Sequence, residues 1–243
     1  MTSPNPSKNL VVIIAYRPPG NHLEDTFKDL KQWFNDIIVV GPEHSYLSQV
    51  MKMDGASWIV SDSPHIVDLW EQGIRSQISS WYILIQDKEY LSTSLKQSLI
   101  EATYKDPVIS TFNSFIRKSF FLKKQMKYDL EWNGDPSSGL LHVSNQPVSL
   151  NKVFGLKTIK YLEGELIHFG ETNLNETIQN SIHRINWLAD QLYLSSPSLT
   201  KLRLINGDKK NSLKNFCKTW FVGKGMREGF EGSVFCFLDS VVI

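Results

Sequence analysis

The chain alternates short apolar runs with longer segments in which apolar residues recur every three or four positions. Leu10 to Ala15 (LVVIIA) and Tyr82 to Ile85 are uninterrupted apolar runs, the pattern of strands buried on both faces. Ile37 to Val40 and Ser57 to Val60 read as two further short strands. Between them lie segments of helical period. His22 to Phe34 places Leu23, Phe27, Leu30 and Phe34 on one face, and Tyr46 to Met53 and Ile66 to Ile78 follow as second and third helices. Strand and helix in strict alternation predict an α/β domain, doubly wound around a mostly parallel sheet with right-handed crossovers.

Beyond Ser92 the pattern loosens. A helix is expected to about Lys105, then strands over Val108 to Phe115 and Gly139 to Val143, and a strand or hairpin over Tyr161 to Phe169. Glu131 to Pro136 is turn-rich. Asn173 to Tyr193 carries Ile178, Ile182, Ile185, Leu188 and Leu192 as a helical stripe, with Asn173 or Asn175 as its cap. Ser195 to Asp208 reads as a linker. The last segment sets Phe216, Trp220 and Phe221 before a Gly-Lys-Gly hinge and Phe230, Val234, Phe235, Leu238, Val241 and Val242 after it. With Lys214, Lys218, Lys224 and Arg227 near the hinge, this describes two short amphipathic helices suited to a bilayer interface. The expected organisation is a disordered leader over residues 1–9, a domain over 10–170, and a C-terminal helical extension over 171–243.

Composition narrows the class. A chain of 243 residues, 41% hydrophobic and 21% charged, can bury a full core. A formal net charge of +1 gives no global attraction to nucleic acid or anionic lipid, so any basic surface is local. The two cysteines, Cys217 and Cys236, lack metal-type spacing with histidine, and a reduced, cytoplasmic setting is expected. No stretch has the length of a membrane span.

The chemistry concentrates where the fourth strand ends. WYILIQDKEYLS, Trp81 to Ser92, runs from an apolar strand into Gln86, Asp87, Lys88 and Glu89. Polar residues there sit at the carboxyl rim of the sheet, where open α/β folds bind ligands. Elsewhere, Arg117 to Lys127 (RKSFFLKKQMK) interleaves cations with Phe120 and Phe121, fit either to hold a phosphate or sugar or to solvate its lysines at the surface.

The stretch resembles the strand and acidic turn of family 2 glycosyltransferases with the GT-A fold, closest to the branch that adds sugars to lipopolysaccharide cores. Laid on that family's Asp-Ala-Asp-Glu turn, Trp81 matches its tryptophan and Glu89 its final acid, while Gln86 and Lys88 occupy its metal-site aspartate positions. Leu166, Ile167, His168 and Phe169 resemble its Leu-Leu-His-aromatic motif, and Arg117 lies where it carries an arginine before paired aromatics. The resemblance implies a GT-A-like fold and transfer of a sugar from a nucleotide-sugar donor to a lipid-linked or cell-surface polysaccharide acceptor, on a protein peripheral to the inner face of the cytoplasmic membrane. It implies Asp87, Lys88 and Glu89 as catalytic residues and Tyr16, Arg17, Gly41, Gln86, Arg117 and His168 as substrate-binding residues. Asp87 and Glu89 would bind Mg or Mn, or Lys88 would neutralise diphosphate without metal.

The departures from the family fall on its acids. Tyr16, Arg17 and Pro18 follow the first strand where an acid is usual, Gly41 and Pro42 follow the second, and Val148, Ser149 and Leu150 replace a His-Glu pair. No carboxylate lies between Pro136 and Tyr161. A catalytically inactive binding or scaffold subunit is therefore the competing expectation. An unrelated nucleotide-binding fold would need a Gly-rich loop after the first strand, and YRPPGN is not one.

Overall fold

The structure is a computed structural model describing residues 10–18, 22–63, 65–104, 110–126, 138–144, 149–150, 162–170, 174–175, 177–179, 182, 216–217, 220 and 225–242. The expected leader, the turn-rich loop over 131–136, the linker over 195–208 and most of the expected helix over 173–193 lie outside the described residues. The chain divides into two compact units, Met1–Arg117 with Pro136–His168, and Lys118–Asp135 with Phe169–Ile243.

The first unit has the expected doubly wound architecture. Its elements run β1 (Leu10–Ala15), α1 (Leu23–Lys31), β2 (Asp36–Gly41), α2 (Ser45–Met53), β3 (Ser57–Val60), α3 (Ile66–Ser76), β4 (Trp81–Gln86), β5 (Glu89–Leu91) and α4 (Thr93–Thr103). β6 (Thr111–Ser114) and β9 (Gly139–His142) complete a six-stranded sheet in the order β3-β2-β1-β4-β9-β6. β3, β2, β1 and β4 are mutually parallel, whereas β9 runs antiparallel to both β4 and β6.

Leu10–Ala15 and Tyr82–Ile85, two of the uninterrupted apolar runs, lie in the two central strands, and the period of two explains them. Leu10, Val12 and Ile14 of β1 join Trp81, Ile83 and Ile85 of β4 on one face, packed with Leu23, Phe27 and Leu30 of α1 and Leu95 and Leu99 of α4. Val11, Ile13, Tyr82 and Leu84 face the opposite layer, with Leu69, Trp70 and Ile74 of α3. The Trp70 indole also donates to the Ile85 carbonyl at 3.0 Å, anchoring α3 to the end of β4. Because α1 and α3 cover opposite faces, the chain reverses direction across the sheet between β1 and β4, and the carboxyl ends of those strands flank a topological switch point.

Several boundaries differ from the pattern-based reading. α1 ends at Lys31, since Trp33 and Phe34 turn back to the Leu30 carbonyl. The expected Val108 to Phe115 strand is Thr111–Ser114 among the described residues. The polar tetrad after β4 is not a loop leading into a helix: only Asp87 and Lys88 turn, and Glu89 opens β5. β5 pairs antiparallel with β10 (Glu165–Phe169), placing Leu91 opposite Leu166 and Glu89 opposite His168.

The segment read as basic and aromatic folds as a hairpin, β7 (Ile116–Phe121) with β8 (Lys124–Gln125), which belongs to the second unit from Lys118 onward. Its two-residue turn puts Leu122 at φ 50° and Lys123 at φ 66°. Left-handed pairs suit the twist of a tight hairpin but usually recruit Asn-Gly. Phe121 and Met126 of the hairpin pack with Leu122 and Val234. A 3-10 turn over Gly225–Glu228 leads into α5 (Gly229–Val242), and Lys124 Nζ donates to the Glu228 carbonyl at 2.6 Å and to Glu231 Oε2 at 2.9 Å. Phe230 and Phe237, one heptad apart, are 65% and 59% exposed. Ile178 and Ile182 are exposed as well, so these two residues of the expected stripe face solvent. No helix among the described residues is long and apolar enough to cross a membrane.

Candidate functional site

The parallel register of β1 and β4 pairs Ala15 with Gln86, so both strands end at the same level. The chain leaves β1 as Tyr16 and Arg17 and leaves β4 as Asp87 and Lys88, which brings these residues together at the rim. The turn is clamped by its backbone: Asp87 N–H donates to the Ala15 carbonyl at 3.2 Å, and the Asp87 carbonyl accepts from Thr26 Oγ1 at 2.8 Å.

Asp87 is buried and its Oδ2 has no hydrogen-bond partner. Burial raises its pKa to about 6, against the attraction of Lys88 and Arg17, which favour the carboxylate. Tyr16 is also buried, and burial, together with the Asp87 charge, raises its hydroxyl to about 12. Its ring meets Trp58 of β3 edge-on at 5.8 Å and His44 at 6.4 Å. Gly41 allows this approach, since a Cβ there would stand 2.5 Å from the Tyr16 carbonyl oxygen. Gly41 thus makes room at the rim, a steric role rather than a polar one.

Glu89 is fully buried and engaged in a different network. Its Oε2 accepts from Gln86 N–H at 2.8 Å and from Ser138 Oγ, while His168 Nδ1 lies 3.7 Å from its Oε1, beyond hydrogen-bond length. Burial alone would raise the Glu89 pKa, but His168, Arg117 and Ser138 together hold it below the usual carboxylate range. His168 is displaced downward, first by burial and then by Arg117 and Lys88, despite the opposing pull of Glu89. The pair therefore stands at neutral pH as a carboxylate beside a neutral imidazole.

Tyr16, Arg17, Gln86, Asp87, Lys88, Glu89, Arg117 and His168 thus gather around one turn, with Gly41 in support. Two participants were missed by sequence reading. Ser138 carries no motif, and Thr26 sits in an amphipathic helix whose pattern shows only that it is near a face; the signal for both is the fold, which brings distant segments to the turn.

A Mg or Mn ion held by both acids does not fit this arrangement. Asp87 Oδ2 and Glu89 Oε1 are buried without hydrogen-bond partners, but Glu89 Oε2 is taken by Gln86 N–H and Ser138 Oγ, and two carboxylate oxygens are too few to replace the shell of oxygens such an ion needs. Among the described residues, no group of three or more His, Cys, Asp or Glu is placed to hold a metal. Positive charge at the turn comes instead from Arg17, Lys88 and Arg117, each close enough to act on Asp87, Glu89 or His168.

No protein-family model matches the chain, and no curated protein matches it. Among solved structures, the chain is similar to GalNAc-T7 crystallised with UDP, GalNAc and Mn2+ (TM-score 0.46, 9% identity, 67% of this chain and 44% of that one). It is also similar to S. aureus TarS (TM-score 0.43, 8% identity, 94% and 55%). A third likeness is to a cytidylyltransferase from Leptospira borgpetersenii serovar Hardjo-bovis (TM-score 0.40, 10% identity, 96% and 92%). The chain spans less than half the length of the first and just over half that of the second.

Proposed function

We propose that the chain is a glycosyltransferase of the family 2 type that transfers a sugar from a nucleotide-sugar donor to a lipid-linked or cell-surface polysaccharide acceptor. The observation that carries this reading is the convergence of Arg17, Lys88 and Arg117 on a clamped turn at the carboxyl ends of β1 and β4. Cleaving the bond from sugar to diphosphate builds negative charge on the leaving phosphate, and fixed cations at a buried rim stabilise it as a metal ion would. Asp87, with an unpartnered Oδ2, serves as acceptor for a donor hydroxyl. Phe230 and Phe237 suit attachment to the membrane face that carries a lipid-linked acceptor.

Calorimetry with UDP, GDP and CDP, each with EDTA or with Mn2+, tests the reading. One diphosphate binds in the micromolar to millimolar range, equally well in EDTA, and Lys88→Ala weakens it about tenfold, the loss of a single charge-assisted contact. Silence with every nucleotide under both conditions would replace the transferase with the inactive scaffold.

A further inference from the structure

The Glu89–His168 couple has no part in the reading above, and the inference drawn from it rests on that reading. Sugar transfer requires a group to take the proton of the acceptor hydroxyl. No carboxylate lies between Pro136 and Tyr161, and the reading above uses Asp87 on the donor side. The cross-strand register of β5 and β10 sets His168 directly opposite Glu89, which brings Nδ1 beside Oε1. Glu89 is itself held by Gln86 N–H and Ser138 Oγ, so its carboxylate has a defined position. The charged groups acting on the imidazole are Glu89 from β5, Arg117 from β7 and Lys88 from the turn, and the side chain retains 12% exposure.

At 3.7 Å, without a hydrogen bond, the Glu89 carboxylate acts on the ring through its charge and stabilises the imidazolium once formed, and Nε2, the nitrogen not facing it, is the proton acceptor. We propose that His168, oriented by Glu89, is the general base of the transfer. The acceptor oxygen bonds to the anomeric carbon as its proton passes to His168 Nε2. The bond from that carbon to the diphosphate oxygen breaks, its electron pair leaving with the nucleoside diphosphate. The imidazolium then returns its proton to water. Glu89 is a positioning residue in this scheme and His168 a catalytic one.

The experiment follows release of nucleoside diphosphate from UDP-, GDP- and CDP-sugars with water as acceptor between pH 5 and 9, alongside calorimetry with the matching diphosphate. Wild-type release rises with pH through one ionisation below the ordinary histidine value of 6.5. His168→Gln lowers the rate by about 100-fold or more, within the range general bases contribute, while diphosphate affinity stays within about threefold. Added imidazole restores part of the rate to His168→Ala. Glu89→Gln moves the inflection to lower pH, because the carboxylate that favours the imidazolium is gone; NMR titration of the His168 ring shows the same shift directly. A rate in His168→Gln within about threefold of wild type overturns the assignment, as does a wild-type protein that binds a diphosphate yet releases none. Absence of diphosphate binding in the wild type instead removes the transferase reading, and the base with it.

Discussion

Asp87 and Glu89 stand two positions apart, and their surroundings drive them in opposite directions. Around Asp87, burial outweighs Arg17 and Lys88; around Glu89, the donors and cations outweigh burial. For Asp87 the folded pKa lies above the unfolded value of 3.8, so the folded state binds more protons between about pH 4 and 6, and stability falls as pH rises through that window. Asp87→Asn should therefore raise stability at pH 7 by on the order of 2 kcal/mol and flatten that decline, measured by urea unfolding across pH. Glu89 has the reverse sign, contributing stability that is lost as pH falls through its depressed pKa. Glu89→Ala strands the Gln86 amide and the Ser138 hydroxyl in the interior. It should cost about 2–4 kcal/mol and speed hydrogen exchange at the Gln86 amide.

Between elements, close approach is set at a few positions. Gly73 of α3 lies over β1, and a Cβ there would fall 2.6 Å from Ile13 Cγ2. Gly73→Val should destabilise by about 1–3 kcal/mol through overpacking, seen as a lower denaturation midpoint with an unchanged slope. The β7–β8 hairpin offers the opposite test. Lys123 holds φ 66°, a conformation open to glycine without steric cost. Lys123→Gly should stabilise the hairpin by about 0.5–1 kcal/mol, read from thermal unfolding of the full chain, whereas Lys123→Pro should destabilise it because proline cannot adopt positive φ.

For the molecule as a whole, the near-zero net charge leaves local features to set its associations. Phe230 and Phe237 share a face of α5, with Met226 and Arg227 exposed just before it. Sedimentation with vesicles containing about one-third anionic lipid should deplete the protein from solution, more weakly at high salt. Phe230→Ser with Phe237→Ser should abolish the depletion while leaving diphosphate affinity unchanged. Equal depletion of this double variant would remove membrane contact from the scheme.

β1, β2 and β4 were legible in the residues because a strand buried on both faces needs consecutive apolar side chains, and Leu10–Ala15, Ile37–Val40 and Tyr82–Ile85 supply them. The helices of the first unit were legible from period, and the place of the polar turn at the sheet rim followed from where the apolar run of β4 stops. β5 was hidden because three residues carry no period, and the β7–β8 hairpin because Leu122 and Lys123 are not the residues that announce a left-handed turn. The residues named from the turn and its surroundings do meet, yet their partners could not be read in advance. Whether Glu89 faces a metal or His168 depends on the β5–β10 register, and whether Asp87 is ionised depends on how deeply the rim is buried. Local sequence encodes which segments become strands and helices, because those preferences act over a few neighbours; pairing and desolvation arise between distant segments, and only the folded chain decides them.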